Sequence, residues 1–73
     1  MKKIKQKQTK KTAEAMESAL RYQQAGNLRE AEHVYRKILR EQPNNARVCF
    51  GLAFVLREKG SADEAITWYQ KAL

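Results

Sequence analysis

A chain of 73 residues with one cysteine, one histidine and a net charge of +7 has room for a single small domain, whose core rarely supplies more than about 3–5 kcal/mol. One cysteine excludes an internal disulfide, and with one histidine it falls short of the four ligands of a structural zinc site. Self-association or a larger parent protein remain as the sources of extra stability.

The charge is uneven. The opening MKKIKQKQTKK holds six lysines and no acid, while the remaining residues carry nine Lys or Arg against eight Asp or Glu. Residues 1–11 are therefore expected to be a basic, disordered tail ahead of a nearly neutral body. No aromatic residue interleaves these lysines, so base stacking has no support and nucleic acid is a disfavoured partner. A weak contact of the tail with nucleic acid or anionic lipid would collapse with salt. No apolar run of signal-peptide length follows the lysines, and no stretch approaches the ~20 apolar residues of a membrane span. The expected location is the cytoplasm.

Four helices follow in chain order. From about Thr12 to Ala25 good helix formers dominate, with Ala15, Ala19 and Tyr22 on an i, i+4, i+7 stripe. Gly26 stands where a left-handed terminating residue belongs. Asn27 is expected to cap the second helix, with Glu30 three residues on reaching back. That helix presents Ala31, Tyr35, Ile38 and Leu39 at helical spacing, and Pro43 stops it. Asn44 and Asn45 supply a cap for a third helix over about 46–58, with Cys49 on its buried stripe. A fourth starts near Ala62, announced by the capping box Ser61-x-x-Glu64.

The chain repeats itself after 34 residues. Ala19 lies over Ala53, Gly26 over Gly60, Glu30 over Glu64, Ala31 over Ala65, Tyr35 over Tyr69, and Leu39 over Leu73. Matches on residues with such distinct structural jobs indicate a duplicated helix–turn–helix unit. The short side chains Ala19, Ala31, Ala53 and Ala65 let helix axes approach to about 8 Å at their crossings.

This pattern resembles the tetratricopeptide repeat. Ala31, Tyr35 and Pro43 meet the family's A-x-x-x-F/Y…P portion, as do Ala65 and Tyr69 again, while Ala15, Ser18, Ala19 and Tyr22, then Cys49, Leu52, Ala53 and Leu56, occupy its first-helix signature. The resemblance implies an all-α helix–turn–helix solenoid of about two repeats, four antiparallel helices in residues 12–73: repeat 1 at 12–45 and an incomplete repeat 2 at 46–73. Such units normally need about three repeats for stability. Trp68, Leu73 and part of Tyr69 are thus expected to face nothing in a monomer, and the chain is expected to be a piece of a longer protein or a homo-oligomer.

The resemblance also implies a concave groove built from the first helix of each unit. Its positions here include Met16, Leu20, Gln23, Arg47, Phe50, Phe54 and Arg57. The spacing of Met16, Leu20, Phe50 and Phe54, four within a helix and 34 between helices, predicts one apolar strip for a peptide or helix of a protein partner, or for a neighbouring repeat. Met16, Leu20 and Gly51 stand where chaperone-binding members hold a terminal dicarboxylate with Lys and Asn, so an acidic C-terminal tail is a disfavoured ligand.

Chemistry finds no support. His33 is expected on an outer face, Cys49 in the core, and Asp63, Glu64 and Glu30 in first turns, where acids favour the helix dipole. There is no glycine-rich phosphate loop and no nucleophile–base constellation, so no cofactor, metal or enzymatic activity is expected. The expected function is a non-catalytic protein–protein interaction module. The resemblance also allows an N-terminal accessory region of a larger bacterial glycosyl-, sulfo- or methyltransferase.

Overall fold

The computed structural model describes residues 10–73, and residues 1–9 of the tail expected at 1–11 lie outside the described residues. Helices α1 (Lys10–Gln24), α2 (Leu28–Glu41), α3 (Ala46–Lys59) and α4 (Ala62–Ala72) follow one another, with no strand among the described residues. Lys10 and Lys11, read from the sequence as the end of the tail, form the first turn of α1. Each helix packs on its chain neighbours, α1 on α2, α2 on α3 and α3 on α4, the quasi-one-dimensional stacking of a solenoid.

The two turns are built alike. Gly26 and Gly60 take φ of 81° and 95°, a region that costs glycine nothing. At the first turn Gly26 N–H donates to the Gln23 carbonyl (3.1 Å) and Asn27 N–H to that of Tyr22 (2.8 Å). At the second, Gly60 donates to Arg57 (3.0 Å) and Ser61 to Leu56 (2.8 Å). This double closure is the Schellman arrangement, and it satisfies carbonyls the helix end would otherwise orphan.

Asn27 and Ser61 make no side-chain cap bond, contrary to the sequence expectation; their ψ of 69° and 65° falls short of the extended backbone that aims a capping oxygen at the helix. Asn45 reaches ψ of 100° and accepts from the Val48 N–H at 3.3 Å. Glu64 serves elsewhere: Arg36 Nη2 donates to its Oε2 at 2.8 Å.

The core lies along α3. Val48, Leu52, Val55, Leu56, Cys49 and Ala53 are almost wholly excluded from solvent, joined by Ala19, Ala31, Tyr35, Ile38, Leu39 and Ala65. On the α3 wheel, Val48, Gly51, Leu52, Val55 and Lys59 share the side turned to α2, since Gly51 meets Tyr35 and Lys59 pairs with Glu32. Cys49, Ala53 and Leu56 lie on the adjoining side, toward α4. Helix α3 is thus apolar on two faces. Tyr22, expected on the buried stripe of α1, is exposed. Its counterpart Leu56 is buried in a helix with a neighbour on both sides, whereas α1 has only α2.

One contact fixes the register between the units. A Cβ built on Gly51 would stand 2.6 Å from Tyr35 Cζ and 2.9 Å from its Cε1 and Oη. Only glycine lets the ring come this close. The Tyr35 hydroxyl donates to Gln23 Oε1 at 3.0 Å, so one side chain ties α1, α2 and α3 together.

Two ion pairs cross the same joint, and a third within α2 links them. Lys59 Nζ reaches Glu32 Oε1 at 2.6 Å, and Arg36 bridges Glu32 (2.8 Å) and Glu64 (2.8 Å). The hydrogen-bonding ammonium of Lys59, helped by Arg36, holds the Glu32 carboxyl below its ordinary value against the burial that opposes it. A carboxyl lowered in the folded state adds stability above its unfolded pKa, and loses it as pH falls through the folded value. Glu32→Gln is therefore expected to be less stable than the native chain by at most about 1 kcal/mol near neutrality. Urea midpoints measured from about pH 7 to about pH 3 check this: the gap between the two proteins closes toward acid.

Candidate functional site

The 34-residue register shows what each unit does with its far face. In the first unit, Tyr35, Ile38 and Leu39 on α2 are at most 7% exposed, with Tyr35 set against Gly51 of the second unit. Their counterparts Tyr69 and Ala72 on α4, with Leu73 just past its end, form one wall of a cleft. Ala46, Arg47 and Phe50 of α3 form the facing wall, with Ile66 at its side. The same surface is an internal joint in one unit and an exposed apolar cleft in the other.

Its large side chains are unusually bare. Phe50 is 57% exposed, Ile66 54%, and Leu73 fully so. The Phe50 and Tyr69 rings meet edge to face with centroids 5.4 Å apart, a favoured aromatic geometry that holds both in place. Arg47 is exposed beside them and supplies the cleft's charge. Trp68, expected to face nothing, is partly buried against the core, with Lys71 Nζ 5.3 Å above its ring.

The seven groove residues expected from the sequence fall into three settings. Arg47 and Phe50 belong to the α3–α4 cleft. Phe54 and Arg57 form a pair further along α3, the guanidinium 5.7 Å from the ring centroid. On α1, Leu20 is exposed, Met16 packs on the core, and Gln23 is engaged by the Tyr35 hydroxyl.

Sequence reasoning missed Ile66 and Tyr69 as cleft residues. The signal was available: each lies 34 residues after a position on the interior side of α2, Glu32 and Tyr35.

The Cys49 thiol is buried and directed at the Pro43 carbonyl at 3.9 Å, and burial pushes it up, away from the reactive thiolate. His33 is exposed on α2. Among the described residues no group of three or more His, Cys, Asp or Glu is placed to hold a metal ion. No helix among them is long and apolar enough to cross a membrane.

The comparisons agree with this architecture. No solved structure matches the chain, but the sequence model of the tetratricopeptide repeat matches residues 13–73, which takes in all four helices except the first turn of α1. With the 34-residue period, the paired Schellman turns and the α2–α3 joint in place, the chain belongs to the tetratricopeptide repeat family.

Proposed function

We propose that this chain is a non-catalytic binding module that holds a peptide or helix of a protein partner on the surface of its first helices, Met16, Leu20 and Gln23 on α1 and Arg47, Phe50, Phe54 and Arg57 on α3. Repeats of this family generally mediate protein–protein interaction and are typically non-catalytic scaffolds. The observation that carries the reading is the aromatic cluster at the α3–α4 cleft. Phe50 and Ile66 are more than half exposed beside Arg47, and contiguous exposed apolar surface rimmed by charge marks an interaction site. Aromatic and arginine side chains also dominate the energetics of protein interfaces.

A photoreactive amino acid in place of Phe50, with His33 on α2 as the control position, tests this in cells. The expected result is cross-linking from position 50 to a defined segment of one partner, identified by mass spectrometry, and its loss when Ile66→Glu is added. Equal labelling from positions 33 and 50, or labelling indifferent to Ile66→Glu, contradicts the proposal.

A further inference from the structure

We infer that α2 carries a docking ridge for an anionic membrane surface on the side opposite its core contacts, continued by the lysines that precede α1. The inference goes beyond the reading of the α3–α4 cleft and stands without it.

On the α2 wheel Arg29, His33, Lys37 and Arg40 follow at i, i+4, i+8 and i+11, within an arc of about 80° and along about 16 Å of axis. All four are exposed. The arc lies opposite Ala31, Tyr35 and Ile38, which are buried, so it forms the outermost line of the helix. Arg36, at its edge, is engaged by Glu32 and Glu64. Arg29, Lys37 and Arg40 form no ion pair with any described residue.

The line of charge continues past the end of α2. Gln42 Nε2 donates to Thr12 Oγ1 at 2.8 Å, which sets the start of α1 beside the end of α2. Lys10 and Lys11 are exposed there. They follow Lys2, Lys3, Lys5 and Lys7 in the chain, with no acid among residues 1–11. Clustered Lys and Arg of this kind are drawn to anionic lipid, each cation near the surface adding to the attraction.

Shape and composition favour a bilayer over the other common polyanion, nucleic acid. A single convex ridge meets a plane along its crest. The exposed acids Glu30 and Glu41 stand about 60° and 80° round from the middle of the arc, set back from that plane. A nucleic-acid groove would close on the flanks of the helix and press phosphates against those carboxylates. No aromatic residue lies on the arc or among residues 1–11, so bases would have nothing to stack on. Lipid headgroups require only charge.

Co-sedimentation of the full chain with vesicles tests this, using phosphatidylcholine alone or with about a third replaced by phosphatidylglycerol, from about 0.05 to 0.2 M salt. One triple variant, Arg29→Gln, Lys37→Gln and Arg40→Gln, removes the ridge. A second, Arg21→Gln, Arg57→Gln and Lys71→Gln, removes equal charge from α1, α3 and α4. A third replaces Lys2, Lys3, Lys5 and Lys7 with Gln. The six helix positions are exposed, and circular dichroism checks that every variant keeps its helices. The native chain is expected to bind the phosphatidylglycerol vesicles and not phosphatidylcholine, less so as salt rises. The ridge variant is expected to lose about 100-fold in partition, and the charge-matched control about tenfold at most. Equal losses in the two triple variants would mean attraction by net charge alone and overturn the inference. So would native-like binding by the ridge variant while the tail variant no longer binds. A native chain that ignores the anionic vesicles, or leaves them for duplex RNA added in competition, overturns it as well. Because the occupant is lipid, position 33 stays a fair control for protein cross-linking from position 50, and failure of either test leaves the other standing.

Discussion

Leu52→Ala is expected to leave most of the chain unfolded at room temperature in the absence of denaturant. Leu52 is fully excluded from solvent at the centre of α3, on the side that meets α2. Truncating a buried leucine costs about 2–5 kcal/mol, the transfer term plus the cavity left behind. A domain of this size holds only about 3–5 kcal/mol in total, so the substitution removes most or all of its margin. Leu20→Ala is the control. Leu20 is about half exposed, and its truncation is expected to change stability by no more than about 0.5 kcal/mol. Far-UV circular dichroism with urea titration separates the two. Equal effects would mean that α3 does not occupy the centre of the stack.

Gly51→Val is expected to cost about 3 kcal/mol, against the local preference of the helix. Glycine inside a helix is worth roughly 0.8–1.0 kcal/mol less than alanine, so a helix considered alone would gain from losing it. The joint reverses the sign. The space beyond the Gly51 Cα is filled by a ring that is 3% exposed and held by its hydroxyl. Overpacking of this kind costs typically about 1–3 kcal/mol, and the branched valine belongs at the upper end. Gly51→Ala is expected to destabilise less, and to become stabilising once Tyr35→Leu has withdrawn the ring. A double-mutant cycle on urea midpoints measures that coupling. Additive effects would show that Tyr35 and Gly51 do not meet.

Much of this fold is written in residues whose role is local. Gly26 and Gly60 announce left-handed turns because no other residue adopts that backbone at so little cost, and both turns form as the spacing predicts. The 34-residue period identifies the duplicated unit because Ala19, Ala31, Ala53 and Ala65 have to be small wherever helices cross, and all four are buried. Cys49, Ile38 and Leu39 sit in the core on the strength of helical periodicity alone.

Where the reading failed, the deciding physics was tertiary. Asn27 and Ser61 carry the right side chains for caps, but the Schellman turns set a ψ that does not aim them. Glu64 has the sequence position of a capping-box acid, yet a cation on α2 competes for it and wins. Gly51 gave no sign of its task, since nothing within α3 calls for a glycine; only the ring arriving from α2 does. The cleft was half legible. Arg47 and Phe50 were read as groove residues on α3, while Ile66 and Tyr69 become visible only when the buried face of α2 is carried forward onto α4.

The two ends of the stack follow the same logic. On α1 the outward side carries Glu14, Glu17 and Arg21, all exposed. On α3 and α4 it is Phe50, Ile66, Tyr69 and Leu73, an apolar end that water penalises.

The central claim is that the two units dock by seating the Tyr35 ring on the bare Cα of Gly51. Nuclear Overhauser spectroscopy of the full chain in solution measures this most directly. A strong contact between the Tyr35 ring protons and the Gly51 α-protons is the predicted result; a well-resolved spectrum with four helices and no such contact would contradict the stacking on which both the fold and its binding face depend.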